Sequence, residues 1–149
     1  MQALQLPTYD IRLKETNGKT QVFDPLRRKF VALTPEEWVR QHFVNYLIHY
    51  KGYPQGLMGN EVKIQLNNTV KRCDTVLYRK DLSAQMIIEY KAPHIVITQN
   101  VFNQITRYNM VLKVDYLIVS NGLQHYCCKI DYNTMQCTFL RDIPAYTEL

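Results

Sequence analysis

The stretch KRCDTVLYRKDLSAQMIIEYK, residues 71–91, decides how this chain is read. Val70 to Tyr78 and Gln85 to Lys91 are strand-like apolar runs, and the polar break about Asp81 and Leu82 predicts that they pair as a hairpin. Folded about that turn, Asp74 lies opposite Glu89, and directly opposed residues are only ~5 Å apart. Side chains alternate faces along a strand, so Glu89 and Lys91 project to the same side. Two carboxylates and an ammonium therefore converge. Like charges at that spacing are unfavourable without a cation, and a hard divalent ion taking oxygen ligands relieves them. An ordinary ion pair between Asp74 and Lys91 would also compensate an acid within so apolar a strand. The residues by themselves leave both open.

Upstream, Glu61 to Leu66 reads as a further strand, joined to Val70–Tyr78 by the turn at Asn67-Asn68. Before it, Thr34-Pro35-Glu36-Glu37 gives a helix start: a capping threonine, proline at the first helical position and glutamate three residues after the cap. Val39, Phe43, Tyr46, Leu47 and Tyr50 continue at helical spacing until Lys51-Gly52-Tyr53-Pro54 ends the pattern. The segment from Tyr9 to Phe30, alternating around Asn17-Gly18, predicts a strand pair or arm. Residues 1–30 are accordingly read as an N-terminal β arm or hairpin, and residues 31–149 as the body of a single compact domain.

Downstream, Ala92-Pro93 stops the strand, and Val101, Ile105, Tyr108 and Leu112 predict a helix with those residues on its buried face. Asp115 to Val119 is a short apolar strand, Asn121-Gly122 a second hairpin signal, Leu123 to Ile130 its partner and Met135 to Leu140 an edge strand. Lys91 to Asp115 is long enough for a crossover returning a parallel strand. The order predicts an α/β (α+β) fold, a central mixed β-sheet flanked by helices.

Composition narrows the class without naming it. The chain has 149 residues, 46% hydrophobic and 21% charged, enough for one well-filled core and inconsistent with disorder. A formal charge of +5 favours polyanionic partners. No apolar run approaches the eighteen residues of a membrane span and no signal core opens the sequence, so no membrane partner is expected and the cytoplasm is the expected address. Cys73, Cys127, Cys128 and Cys137 lack zinc-site spacing and read as reduced core thiols, while His42, His49, His94 and His125 are scattered and read as structural.

Gln104 and Tyr108, four apart, share one face of the second helix, from which an amide and a phenol could reach phosphate oxygens beside Glu89-Tyr90-Lys91. Taken in order, Asp74, Glu89-Tyr90-Lys91 and Gln104-x-x-x-Tyr108, behind a helix with an acidic first turn, resemble the PD-(D/E)XK nuclease superfamily. More narrowly, Thr34 to Gln41, Lys71 to Asp74, Ile88 to Pro93, Gln104 to Tyr108 and Ser120-Asn121-Gly122 are similar to the N-terminal nuclease domain of type I restriction enzyme R subunits. The likeness covers roughly residues 30 to 130.

That resemblance implies a restriction-endonuclease-like fold and Mg2+-dependent cleavage of DNA phosphodiesters, with Mn2+ as a possible substitute. It implies that Asp74, Glu89 and the backbone carbonyl of Tyr90 hold the metal, that Lys91 orients the attacking water or offsets charge, and that Gln104 and Tyr108 position the DNA backbone. Glu36 and Glu37 are both candidates for the first-helix acid, Glu36 lying nearer the Phe43 and Leu47 face on a helical wheel. Arg40 and Gln41 are candidate nucleic-acid contacts on the flank of that helix. Cys73 stands where the family has proline. No G-x-x-x-x-G-K-[ST] loop is present, so ATP-driven translocation would need restriction-modification or helicase subunits acting in trans. Cutting both strands from a one-site chain would call for a homodimer. The alternative is a non-catalytic nucleic-acid-binding accessory module of a restriction-modification system.

Overall fold

Strand β6 (Ala84–Tyr90) is apolar at consecutive positions because it is covered on both faces. In the computed structural model, which describes residues 1–149, it lies inside a six-stranded sheet. The spatial order follows the chain: β4 (Met58–Leu66), β5 (Thr69–Tyr78), β6, β7 (Tyr116–Ser120), β8 (His125–Asp131) and β9 (Gln136–Leu140). Neighbours are antiparallel except β6 and β7, which run parallel. That pair requires a crossover, and helix α2 (Gln99–Met110) supplies it. Met86, Ile88 and Tyr90 pack with Val39, Phe43 and Leu47 of helix α1 (Pro35–Tyr50), whereas Ile87 packs with Phe102, Val114 and Leu117 on the opposite face. The architecture is the expected mixed sheet flanked by helices.

Helix α1 begins as its sequence signals require. Thr34 Oγ1 accepts a hydrogen bond from Glu37 N–H at 3.0 Å. Only half of a capping box forms, because the Glu37 carboxylate turns to arginines instead of the Thr34 backbone. At the other end Gly52, with φ +74°, lets the Tyr53 N–H return to Leu47 O at 3.0 Å.

The N-terminal arm has one strand more than the pair expected. Strands β1 (Leu13–Thr16), β2 (Lys19–Asp24) and β3 (Lys29–Ala32) form a separate antiparallel sheet. Asn17 and Gly18 both take positive φ in the first turn, and the Asp24 carboxylate accepts Leu26 N–H in the second.

Two features depart from simple periodicity. The face of α2 that enters the core is Phe102, Thr106 and Asn109, while Tyr108 is 55% exposed. The helix is rotated about its axis relative to the expected Val101–Ile105–Tyr108–Leu112 face because the large Phe102 ring packs on Phe139 and Tyr126. The second departure is a twist in β4 and β5. Met58, Thr75 and Leu77 belong to the α1 side, yet Val62, Ile64 and Cys73 belong to the α2 side, so alternation inverts at Glu61 and Asp74. Glu61 makes the inversion with φ +55°, a conformation costing a non-glycine residue of order 1 kcal/mol. Asp74 sits at this switch.

Candidate metal centre

The β5–β6 register pairs Thr75 with Ile88, and its next step sets Asp74 against Glu89, as the hairpin predicts. Asp74 Oδ2 accepts the Tyr90 N–H at 2.9 Å. Its carboxyl group also contacts that of Glu89. Burial, then the charge of Asp74 and a hydrogen bond with it, push the Glu89 carboxyl up to about 8, against a smaller opposing pull from the Asn109 amide and the Lys91 ammonium. The direction follows from two acids set side by side in a partly buried place.

The alternative explanation, an ion pair between Asp74 and Lys91, does not form: none of the chain's six salt bridges involves Asp74, Glu89 or Lys91. Lys91 is anchored by its backbone N–H on Ser120 O at 2.8 Å, and its side chain is left to line a hollow of about 430 Å3. Glu89 and Asn109 line the same hollow, with Arg72, Gln104 and Tyr108 at its exposed margin. Thus four of the residues singled out by their spacing, Glu89, Lys91, Gln104 and Tyr108, share one cavity. Lys71 Nζ stands 3.1 Å from the Tyr108 ring centroid, a cation–π contact that holds the phenol at the rim. A larger hollow of about 670 Å3 lies beside Lys51, Lys129 and Arg141 and contains none of these groups.

The first-helix candidates occupy different places. Glu36 is exposed, contrary to its position on the helical wheel, whereas Glu37 is 5% exposed. The Glu37 carboxylate accepts from Arg27 Nη2 at 2.6 Å and Gln41 Nε2 at 3.0 Å, and lies 3.4 Å from Arg40 Nε. Arg40 and Gln41 are not on an exposed flank. Both are buried and committed to protein partners, Arg40 donating to Asp74 O at 3.2 Å and to Glu61 Oε1 at 2.7 Å. Neither side chain is presented to an outside nucleic acid. Instead Arg40 fixes the backbone of the acid strand from behind.

Several supporting residues escaped the sequence reading. Glu61 accepts from Arg40 and pairs with Arg72 at 2.7 Å, linking helix α1 to the cavity margin. Behind Glu89, Tyr90 O–H donates to Thr75 Oγ1 (2.9 Å), which donates to Asn60 Oδ1 (2.7 Å), and Asn60 in turn donates to Asp24. Asn109 is the deepest omission. Its only sequence signal is a polar residue three positions after Thr106 on a helix whose face is otherwise set by Phe102.

The donor set fits a hard cation. No cluster of three or more His, Cys, Asp or Glu side chains occurs in the chain, so an ion here would take two carboxylates, backbone oxygen and water. That is the way Mg2+ is usually held, by one or two carboxylates with several waters retained. The raised proton affinity of Glu89 beside Asp74 marks the site as short of positive charge.

A pH dependence follows. The folded-state value for Glu89, about 8, exceeds its ordinary 4.5, so the folded chain keeps a proton that the unfolded chain releases. The associated stability is fully present below about 4.5 and is lost as pH rises toward 8, by at most about 1.4 kcal/mol per pH unit. In metal-free buffer, Glu89→Gln is therefore expected to gain thermal stability over the wild type progressively from about pH 5 to about pH 8. A constant difference in melting temperature across that range would contradict the raised proton affinity of Glu89.

Known proteins locate the fold. A structure of a fragment attributed to the HsdR subunit of a type I restriction enzyme from Vibrio vulnificus YJ016 is similar to 78% of this chain with a TM-score of 0.54. The two are 20% identical, so the likeness speaks for the fold, and the chain spans 24% of that relative's length. No curated protein matches the chain significantly. No helix is long and apolar enough to cross a membrane. The family described as the type I restriction enzyme R protein N terminus matches residues 35–144, from the first helical residue to the end of the sheet and just beyond. The chain belongs to that family.

Proposed function

We propose that the chain is a Mg2+-dependent DNA endonuclease module, with Mn2+ able to replace Mg2+. The observation that carries this reading is the contact between the Asp74 and Glu89 carboxyl groups beside a lysine that has no acidic partner. Asp74 and Glu89 would hold the ion with the Tyr90 carbonyl. When bound, such an ion polarises a phosphoryl oxygen and lowers the pKa of water. Lys91 orients the attacking water and offsets negative charge developing on phosphorus. Gln104 and Tyr108, at the open margin, contact backbone phosphates, and Arg72 adds positive charge there. Buried Glu37 acts through Arg40 on the position of Asp74, and Glu36 has no part in the site.

Within a restriction system, DNA is the substrate, and a motor and a sequence-recognising subunit act together with this domain. Two copies, or two visits, are needed to cut both strands. The test is nicking of supercoiled plasmid by the purified chain. Relaxation with Mg2+ or Mn2+ that stops on adding EDTA is expected. Salt-sensitive DNA binding with no cleavage under either ion would favour the accessory binding module instead.

A further inference from the structure

The two faces of the N-terminal sheet differ in chemistry. Directly opposed residues share a face, so the register sets Lys14 beside Gln21, Thr16 beside Lys19 and Phe23 beside Phe30. Arg12 joins them, because its carbonyl accepts the Phe23 N–H at 2.8 Å one step before β1 begins. On the other face Val22 and Asp24 are wholly buried, so the arm rests on the body through that side. Arg12, Lys14 and Lys19 are exposed, and the outer face of the three strands carries no carboxylate. None of the chain's six salt bridges involves these cations. Two of them are held by rings instead: Arg12 Cζ stands 4.9 Å from the Phe23 centroid and 5.3 Å from that of Phe30, and Lys14 Nζ stands 4.3 Å from that of Phe30. A ring fixes a cation without neutralising it, so the charge stays available to an outside anion. Both rings are half-buried and capped by these cations, which leaves them poorly placed to stack on an unpaired base. What the face offers is positive charge at set positions, which suits phosphates and carries no sequence information.

The arm is also tied to the acid strand. Asp24 accepts from Asn60 Nδ2 at 3.1 Å, and Asn60 Oδ1 accepts at 2.7 Å from the hydroxyl of Thr75, the residue next to Asp74. Arg27, in the turn after β2, donates to Glu37 in the first turn of α1 at 2.6 Å. We propose that the outer face of the N-terminal sheet is a sequence-independent DNA-binding surface, on which Arg12, Lys14 and Lys19 each neutralise a backbone phosphate of the duplex whose cleavage is proposed above. This rests on the reading of DNA as the substrate. Duplex DNA carries one negative charge per ~1.7 Å of axis, and a face of fixed cations without acids is its electrostatic complement.

Fluorescence anisotropy of a short labelled duplex, titrated with the full chain in EDTA at a series of NaCl concentrations, tests the surface apart from cleavage. Each phosphate contact contributes about 0.9 to the slope of log affinity against log salt. The triple variant Arg12→Gln, Lys14→Gln, Lys19→Gln is therefore expected to make the slope shallower by about 2.7, equally on duplexes of unrelated sequence. A matched triple, Lys80→Gln, Lys113→Gln, Lys129→Gln, removes the same charge from exposed positions toward the Asp81–Leu82 end of the six-stranded sheet, away from Asp74. It is expected to change the slope by less than about 0.9. Should the arm triple fail to fold, Lys14→Gln alone, with an expected change of about 0.9, takes its place. Equal slopes for the two triples overturn the role of the arm and leave DNA as the substrate. Arm-dependent binding found only with vesicles of anionic lipid, the DNA slope being unchanged, would assign the face to a membrane instead. A wild type that binds no duplex at low salt overturns both readings together.

Discussion

Asp74→Asn is expected to retain the fold and lose metal-dependent nicking to background. The amide keeps an oxygen that can accept the Tyr90 N–H, now held at 2.9 Å, so the local backbone needs no rearrangement. What disappears is the charge that makes the acid pair attractive to a divalent ion. Glu89→Gln should behave alike. Lys91→Ala differs in kind: the carboxylates remain, so Mn2+ still binds, but the charge that faces the phosphate is gone and the rate should fall by roughly 10²-fold or more. Lys91 makes no salt bridge, so this loss should come with little change in melting temperature. Single-turnover nicking rates beside thermal melts separate these effects. Equal rates in wild type and all three variants would remove these residues from the chemistry.

Arg40→Met is expected to be the most destabilising of the substitutions considered, by about 3–5 kcal/mol in urea unfolding. Arg40 is 5% exposed and stands between Glu37, Glu61 and the Asp74 carbonyl. Burial lowers the proton affinity of its guanidinium, and the neighbouring acids more than restore it. Methionine fills much of the same volume but leaves Glu37 facing only Arg27 and Gln41, and Glu61 only the exposed Arg72. Glu61 would then hold its left-handed backbone with one support fewer. Glu36→Ala, one turn away and exposed, should change stability by no more than about 0.5 kcal/mol. A loss under about 1 kcal/mol for Arg40→Met would mean that the buried charges are not coupled as the distances indicate.

How much of this was legible in sequence depended on how local the determining forces are. The Thr34 cap, the Asn17-Gly18 turn and the parallel return of β7 follow from short-range chemistry and chain length, and all are present. The opposition of Asp74 and Glu89 was legible because one turn and an unbroken run of pairs separate them, the slip near Tyr78 lying outside the site. The rotation of α2 was not, since Phe102 finds its place against β8 and β9, which come much later in the chain. A helical wheel favours Glu36 over Glu37, and the structure reverses this because the deciding contact, Arg27, arrives from the N-terminal sheet. Arg40 reads as a helix-flank residue because the groups that engage it, Glu61 and the Asp74 carbonyl, come from β4 and β5. Nothing local announces that Glu61 reverses the alternation of β4, and Asn109 is conspicuous only once Oδ1 is seen to lack a donor.

The most direct test of the central claim is anomalous diffraction from crystals of the wild-type chain soaked in Mn2+. The account predicts one strong peak within bonding distance of both the Asp74 and Glu89 carboxylates, with Lys91 Nζ facing it across the hollow. Saturating Mn2+ with no peak between the two acids, or with an ion bound only elsewhere, would contradict it.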